Sequence, residues 1–314
     1  MGGSLIRLGS RASMLALWQA EYVKRELERT ASLRVEIVKI RTTGDAILDT
    51  PLARVGGKGL FVKEIEEALL SGRVDLAVHS MKDVPVGLPD GLGIVCVTKR
   101  EDPRDAFLSV RYERFEELPQ GARVGTSSLR RQTQLLAARP DLGVVSLRGN
   151  IDSRIRKMEE GAYDAVILAA AGVRRLGWEG KIRQYLSVEQ SIPAIGQGAL
   201  GIEARLDDEL ATKAVAFLND AETRLAVCAE RKMLERLDGG CQAPIAGYAK
   251  VFANEILLTG LVGRPDGSEI ARGSRSGPLD APEELGIALA EELLMKGGRR
   301  ILEEVYIQAK EGKE

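Results

Sequence analysis

One short grammar occurs twice in this chain: an apolar strand stops at a glycine followed by hydroxyl residues, and an amphipathic helix begins. It stands in SLIRLGSRASM (residues 4–14) and again in ARVGTSSLRRQ (122–132). A strand, a polar turn and a helix in that order is the opening of an α/β unit with a parallel sheet. After the first turn a helix is expected from about Ser13, with Ala16, Ala20, Val23 and Leu27 on one face. After the second, Ser127 or Ser128 can accept the helix's unpaired amide hydrogens as N-cap. LRVEIVKI and VDLAVHS read as further strands, and GLFVKEIEEALLSG as a helix that stops at Gly72. SGRVDLAV (71–78) and EGAYDAVI (160–167) share a Gly-x-x-Asp-apolar-apolar-apolar pattern, which suggests a repeat of two α/β lobes.

KREDPRD (99–105) and QSIPAIGQG (190–198) are polar or Pro/Gly-containing and read as two crossings between the lobes, hence a hinge. Beyond them RLAVCAERKMLERL is helical. IAGYAKVF, EILLTGLVG and EIARGSRS read as strands joined by turns, and a helix starts near Pro282. The expected division is 1–98 plus 199–217 for lobe one, 104–192 for lobe two, and 221–314 for a small α+β domain that carries Cys241 in LDGGCQAPI.

Composition excludes several functions. The 314 residues carry 45 Lys+Arg against 46 Asp+Glu, a net charge of -1, which argues against a general nucleic-acid binder. Only 4% are aromatic, too few for a base-stacking platform. Three cysteines without a CxxC pair and a single histidine cannot complete a zinc cluster or a disulfide framework. No apolar run has membrane-spanning length and the N-terminus lacks a signal-like apolar stretch, so a cytoplasmic protein, off the membrane, is expected.

In open α/β sheets the ligand crevice lies beyond the carboxyl ends of the strands. That rule selects Gly9, Ser10, Arg11, Ser13, His79, Ser80, Lys82 and Asp83 in lobe one. In lobe two it selects Thr126, Ser127, Ser128, Arg130, Arg131, Arg148, Gly149, Asn150, Arg154, Arg174 and Arg175. Arginines mixed with hydroxyls and helix N-termini suit a ligand with several carboxylates or phosphates. GGKGLF follows no strand and its Lys58 lacks a Ser/Thr neighbour, so a nucleotide is the weaker form of that reading. Asp83, a lone carboxylate among cations, can serve a reaction that develops positive charge, or can be a turn residue. TTGDAILDTPLARVGGKGLF, long and glycine-rich, reads as a flap.

Ten motifs in order (LGSRAS, TTGD, GGKGLFVKEIE, DLAVHSMKDVP, REDPRDA, VGTSSLRRQ, LRGNIDSRI, ILAAAGVRRLG, IPAIGQGALGIE and GGCQAPI) give a chain that resembles the porphobilinogen deaminases, or hydroxymethylbilane synthases, over its whole length. The resemblance implies an α/β fold: two type II periplasmic-binding-protein-like lobes with a hinge, plus a small α+β C-terminal domain. It implies a transferase of tetrapyrrole (haem, porphyrin) biosynthesis. Such an enzyme condenses four porphobilinogens head to tail, with loss of ammonia, onto a dipyrromethane primer held by a thioether to Cys241. It then releases the linear tetrapyrrole.

By the same resemblance Asp83 is catalytic, holding pyrrole N–H groups, stabilising the cation left by ammonia and relaying protons. Ser80, Lys82, Thr126, Ser128, Arg130, Arg131 and Arg154 match cofactor contacts. Arg11, Ser13, Arg148, Gly149, Arg175 and Gln197 match substrate contacts, and Lys58 and Phe61 belong to the flap. No metal, no nucleic acid and a monomer are implied. His79 is given no catalytic role, and Cys96 and Cys228 read as buried small hydrophobes. The rival readings are a two-lobed binding protein for a dicarboxylate or oxyanion, and a Cys/His hydrolase, which would need a base near Cys241.

Overall fold

The two glycine-hydroxyl turns each end the first of the successive parallel strands in a separate sheet. The structure is a computed structural model and describes residues 5–31, 33–46, 62–238 and 243–311. The described residues pack as two compact units, one from within 1–48, 57–101 and 199–224, the other from within 102–198 and 225–314.

Unit one runs β1 (Leu5–Arg11), α1 (Met14–Ala31), β2 (Arg34–Ile40), α2 (Lys63–Leu70), β3 (Leu76–Ser80) and β4 (Leu92–Val97). Unit two opens with β5 (Asp105–Leu108), β6 (Arg123–Gly125), α3 (Leu129–Ala138), β7 (Gly143–Val145), α4 (Ile151–Glu159), β8 (Ala165–Ala169), α5 (Ala170–Arg175) and β9 (Gln184–Leu186). The chain then adds β10 (Leu200–Arg205) and α6 (Glu209–Val215) to unit one, followed by α7 (Ala221–Arg236). β11 (Ile245–Phe252), β12 (Glu255–Gly263), β13 (Ile270–Pro278), α8 (Pro282–Leu293) and α9 (Arg299–Glu311) complete unit two.

The sheet of unit one has the order β2-β1-β3-β10-β4, and the larger sheet of unit two β7-β6-β8-β5-β9. In each five-stranded sheet four strands run in one direction and one is inserted antiparallel: β10 between β3 and β4, β5 between β8 and β9. The repeat suggested by SGRVDLAV and EGAYDAVI is therefore a repeat of topology. Its local mechanism is visible. Gly72 and Gly161 end their helices at φ +67° and +82°, the left-handed conformation glycine adopts without strain. Three residues on, Asp75 Oδ2 accepts the Arg7 amide at 2.8 Å and Asp164 Oδ2 the Arg123 amide at 2.8 Å. Each aspartate thus ties the helix end to the start of the first parallel strand, β1 or β6.

Both large sheets are packed on both faces. Leu8, Leu27, Leu76 and Ile202 fill one side of the first and Ile40, Ile65, Leu69 and Val74 the other. Phe107, Val124 and Ile167 fill one side of the second, and Leu108, Ile155 and Leu168 the other. Burying each such side chain contributes about 1.5–3 kcal/mol. β11, β12 and β13 form a three-stranded antiparallel sheet, as IAGYAKVF, EILLTGLVG and EIARGSRS predict, with Met233, Leu258, Leu289 and Leu293 in its core. Pro282 stands in the first turn of α8, where its missing N–H costs nothing. The architecture is the expected α/β one, two lobes of like topology and a small C-terminal domain.

The two crossings differ from expectation in one respect. They read as polar linkers, yet Asp105, Ser191 and Gln197 are 0%, 2% and 1% exposed. Their side chains bond across the fold instead of meeting water.

Candidate functional site

In unit one, β1 and β3 run parallel, so their carboxyl ends lie side by side and deliver Arg11 and Ser80 to the same end of the sheet. Ser13 Oγ accepts the Ala16 amide at 3.3 Å and so caps α1. β3 runs into a single 3-10 turn, Met81–Asp83, that carries Lys82 and leaves Asp83 exposed. Arg11, Ser13, Ser80 and Asp83 line one pocket together with Gln19 and His79. Five residues selected by the strand-end rule, Arg11, Ser13, His79, Ser80 and Asp83, thus line one cleft, and the rule missed Gln19. That side chain is 3% exposed on the buried stripe of α1 and donates to Ser80 Oγ at 2.9 Å. A glutamine beside Ala20 on an otherwise apolar helix face was the available signal.

From the pocket wall inward lies a buried cluster of His79, Glu203 and Glu66. His79 Nε2 is 2.8 Å from Glu203 Oε2, with the two side chains 4% and 1% exposed. Glu66 of α2 is nearby and 8% exposed. Burial pushes its carboxyl above the ordinary range, and the like charge of Glu203 adds to the shift while His79 opposes it. His79 is thus held from within the lobe.

In unit two, the hydroxyls of the second turn organise the start of α3. Ser128, and not Ser127, is its N-cap, accepting the Arg131 amide. Ser127 Oγ donates to Leu147 O at 2.8 Å, tying the turn to the residue before Arg148. Thr126 is 2% exposed, and its Oγ1 accepts the Ser128 amide at 3.2 Å. Gly149 sits at φ +112°, and its carbonyl accepts from Arg154 Nε at 2.7 Å. Arg148 Nη1 is buried with no hydrogen-bond partner among the described residues. Arg175 Nη2 donates to Gly198 O at 2.7 Å.

Arg130 and Arg131 are only 4% and 6% exposed, and both guanidinium groups bind Asp105. Gln197 Nε2 reaches the same carboxylate at 3.0 Å. Burial alone would raise the Asp105 pKa, but the two guanidiniums overcome it and hold the carboxyl far below the usual carboxylate range. Sequence reasoning found the arginines and missed the acid between them. Cys96 is buried, as expected, and burial pushes its thiol up to about 12. Cys228 is half-buried, with Sγ 4.0 Å from Glu283 Oε1, so it is less enclosed than the apolar pattern of its helix predicts. Lys58, Phe61 and Cys241 lie outside the described residues. Among the described residues no group of three or more His, Cys, Asp or Glu side chains could hold a metal ion, and no helix is long and apolar enough to cross a membrane.

Two family models match this sequence in tandem. "Porphobilinogen deaminase, dipyromethane cofactor binding domain" matches residues 6–213, and "Porphobilinogen deaminase, C-terminal domain" residues 224–295. The chain belongs to the porphobilinogen deaminase family. The porphobilinogen deaminase of Pelobacter propionicus is 60% identical over 302 residues, covering 96% of this chain and 97% of that protein. The porphobilinogen deaminase of Geobacter sulfurreducens is 58% identical over 302 residues, 96% of this chain and 95% of that one. Among solved structures, the methionine binding protein MetQ matches 68% of this chain and 89% of its own, at 16% identity and a TM-score of 0.45.

Proposed function

We propose that this chain condenses four porphobilinogen molecules head to tail, with loss of ammonia, onto a dipyrromethane held by Cys241, and releases the linear hydroxymethylbilane. The observation that carries the reading is the shared pocket of Arg11 and Asp83 in a chain 60% identical to a named porphobilinogen deaminase. Porphobilinogen carries an acetate and a propionate, so recognition demands cations. Expulsion of ammonia leaves positive charge, so the chemistry demands an anion in the same place.

Arg11 and Ser13 bind a substrate carboxylate, and Asp83 stabilises the positive charge and accepts the proton lost from the pyrrole carbon. Ser80 is oriented by its bond from Gln19. Arg148, Gly149, Arg175 and Gln197 take further substrate carboxylates, and Ser80, Lys82, Thr126, Ser128, Arg130, Arg131 and Arg154 the cofactor. The buried, partnerless Nη1 of Arg148 fits a carboxylate-bearing group, because an unpaired buried donor is costly and a carboxylate would satisfy it. When bound, the dipyrromethane supplies the carbon at which the product chain is extended. Division into three domains at the boundaries read from the sequence, a monomeric state, a cytoplasmic location and independence from nucleic acid belong to the same proposal.

Intact-mass spectrometry of the purified protein tests it. The expected result is the apoprotein mass plus a dipyrromethane, lost in Cys241→Ser. Active fractions showing only the apoprotein mass would refute the reading. Asp83→Asn is expected to lower turnover by about a hundredfold or more, and near-normal rates would remove Asp83 from the chemistry.

A further inference from the structure

Arg130 and Arg131 occupy the first turn of α3, where the positive end of the helix dipole disfavours a cation. Both are also buried, which without a counter-charge would be severely unfavourable. The counter-charge is Asp105, the first residue of the inserted strand β5, with 0% exposure. Its Oδ1 accepts from Arg131 Nη2 at 2.7 Å, Arg131 Nε at 3.0 Å, Arg130 Nη2 at 3.2 Å and Gln197 Nε2 at 3.0 Å. Its Oδ2 accepts from Arg130 Nη1 and Ser191 Oγ, both at 2.8 Å.

Two guanidiniums against one carboxylate leave the cluster with one surplus positive charge, beside a helix N-terminus of the same sign. A brace serving stability alone is best served by a balanced pair. Arg130 Nε and Gln197 Oε1 are, in addition, buried without a hydrogen-bond partner among the described residues. The cluster is therefore over-determined around Asp105 and incomplete in charge.

We propose that Asp105 is a positioning residue of the carboxylate site in lobe two: it fixes Arg130, Arg131 and Gln197 in one arrangement and leaves them a single surplus positive charge, the complement of one ligand carboxylate. The inference rests on the function proposed above. It assigns Asp105 no contact with the ligand; the residue acts through the three side chains it holds.

Two variants test it. Asp105→Asn keeps the shape, removes the negative charge and points an amide's own hydrogens at a ring of donors. Ser191→Ala removes one neutral donor of the six and disturbs the carboxylate mildly. The readouts are intact mass for cofactor loading, melting temperature, and KM and kcat for porphobilinogen on the adduct-bearing protein, where KM is independent of the fraction that folds. Positioning predicts a smaller adduct-bearing fraction in Asp105→Asn, because Arg130 and Arg131 are the proposed cofactor contacts, and, through the substrate contact Gln197, a KM raised about tenfold or more in that variant and about two- to threefold in Ser191→Ala, with kcat changed much less. Unchanged KM in both, with only the melting temperature lowered, would make Asp105 a structural brace and overturn the proposal. If Asp105→Asn yields no folded, loaded protein, Ser191→Ala decides by the same criterion. Failure of the underlying function would look different, since the wild type itself would then carry no adduct and consume no porphobilinogen.

Discussion

Gly149 separates Arg148 from Asn150, the N-cap of α4, and replacing it with alanine should damage lobe two by two separable routes. Its φ of +112° lies where a side chain is strained, at a cost of about 1–3 kcal/mol. An added Cβ would also fall well inside contact distance of Ser153 Oγ, with Ser153 Cβ at 3.3 Å. Ser153 can escape only by giving up the bond it donates to Asn150 O at 2.9 Å, worth about 1 kcal/mol. Gly149→Ala should therefore lose about 2–4 kcal/mol, Ser153→Ala alone about 0.5–1.5 kcal/mol, and the double variant less than the sum, because it relieves the clash. Gly149 and its neighbour Arg148 are the proposed substrate contacts here, so KM for porphobilinogen should rise in Gly149→Ala and recover only in part in the double variant. Urea unfolding followed by tryptophan fluorescence measures the stability, because Trp178 packs against the lobe-two core and Trp18→Phe removes the other indole. A double variant as stable as Ser153→Ala would show that the backbone at 149 is unstrained and refute the argument.

Glu66→Gln should change how stability varies with pH. The folded carboxyl titrates above its unfolded value, so between the two the native state holds a proton that the unfolded chain has released, and stability falls as pH rises through that window. Removing the titration should flatten the profile of urea midpoint against pH, on the order of 1 kcal/mol for each unit of separation, whereas parallel profiles would show that Glu66 is not strained by burial. Cys96, buried and with its thiol pushed up to about 12, should resist iodoacetamide at pH 8 in the native protein and react on unfolding. Peptide mass mapping that finds Cys96 modified before unfolding would contradict that burial.

The sequence showed the repeated lobe because its signals are local. A glycine ends each helix, an aspartate three residues later ties back to the first strand, and hydroxyls cap the next helix. The same is true of the C-terminal strands, whose alternation and turns sit within a few residues of one another. The strand-end rule likewise located Arg11, Ser13, Ser80 and Asp83, because a parallel sheet fixes where its strand ends lie. What stayed hidden were the partners. Asp105 sits in a segment that reads as a polar linker, and nothing nearby distinguishes a carboxylate facing water from one facing Arg130, 25 residues on, and Gln197, 92 residues on. Gln19 was hidden for the same reason, since Ser80 is 61 residues away.

These hidden contacts share a cause in the topology. In each lobe the parallel strands follow one another along the chain, but the antiparallel strand beside them stands outside that run: β10 comes after lobe two is complete, and β5 precedes β6, β7 and β8. Such a strand pairs with residues far along the chain and gains nothing from local turns, so its register must come from side chains that reward only one placement. β5 brings Asp105 to the arginines of α3, and β10 brings Glu203 to His79 of β3 and Glu66 of α2. A buried acid on each inserted strand locks it in place, since a shift of one residue would strand a charge away from its partners. In lobe two the arginines so held are those proposed to take the cofactor, so the contact that fixes the register of β5 would also fix the charge offered to a ligand.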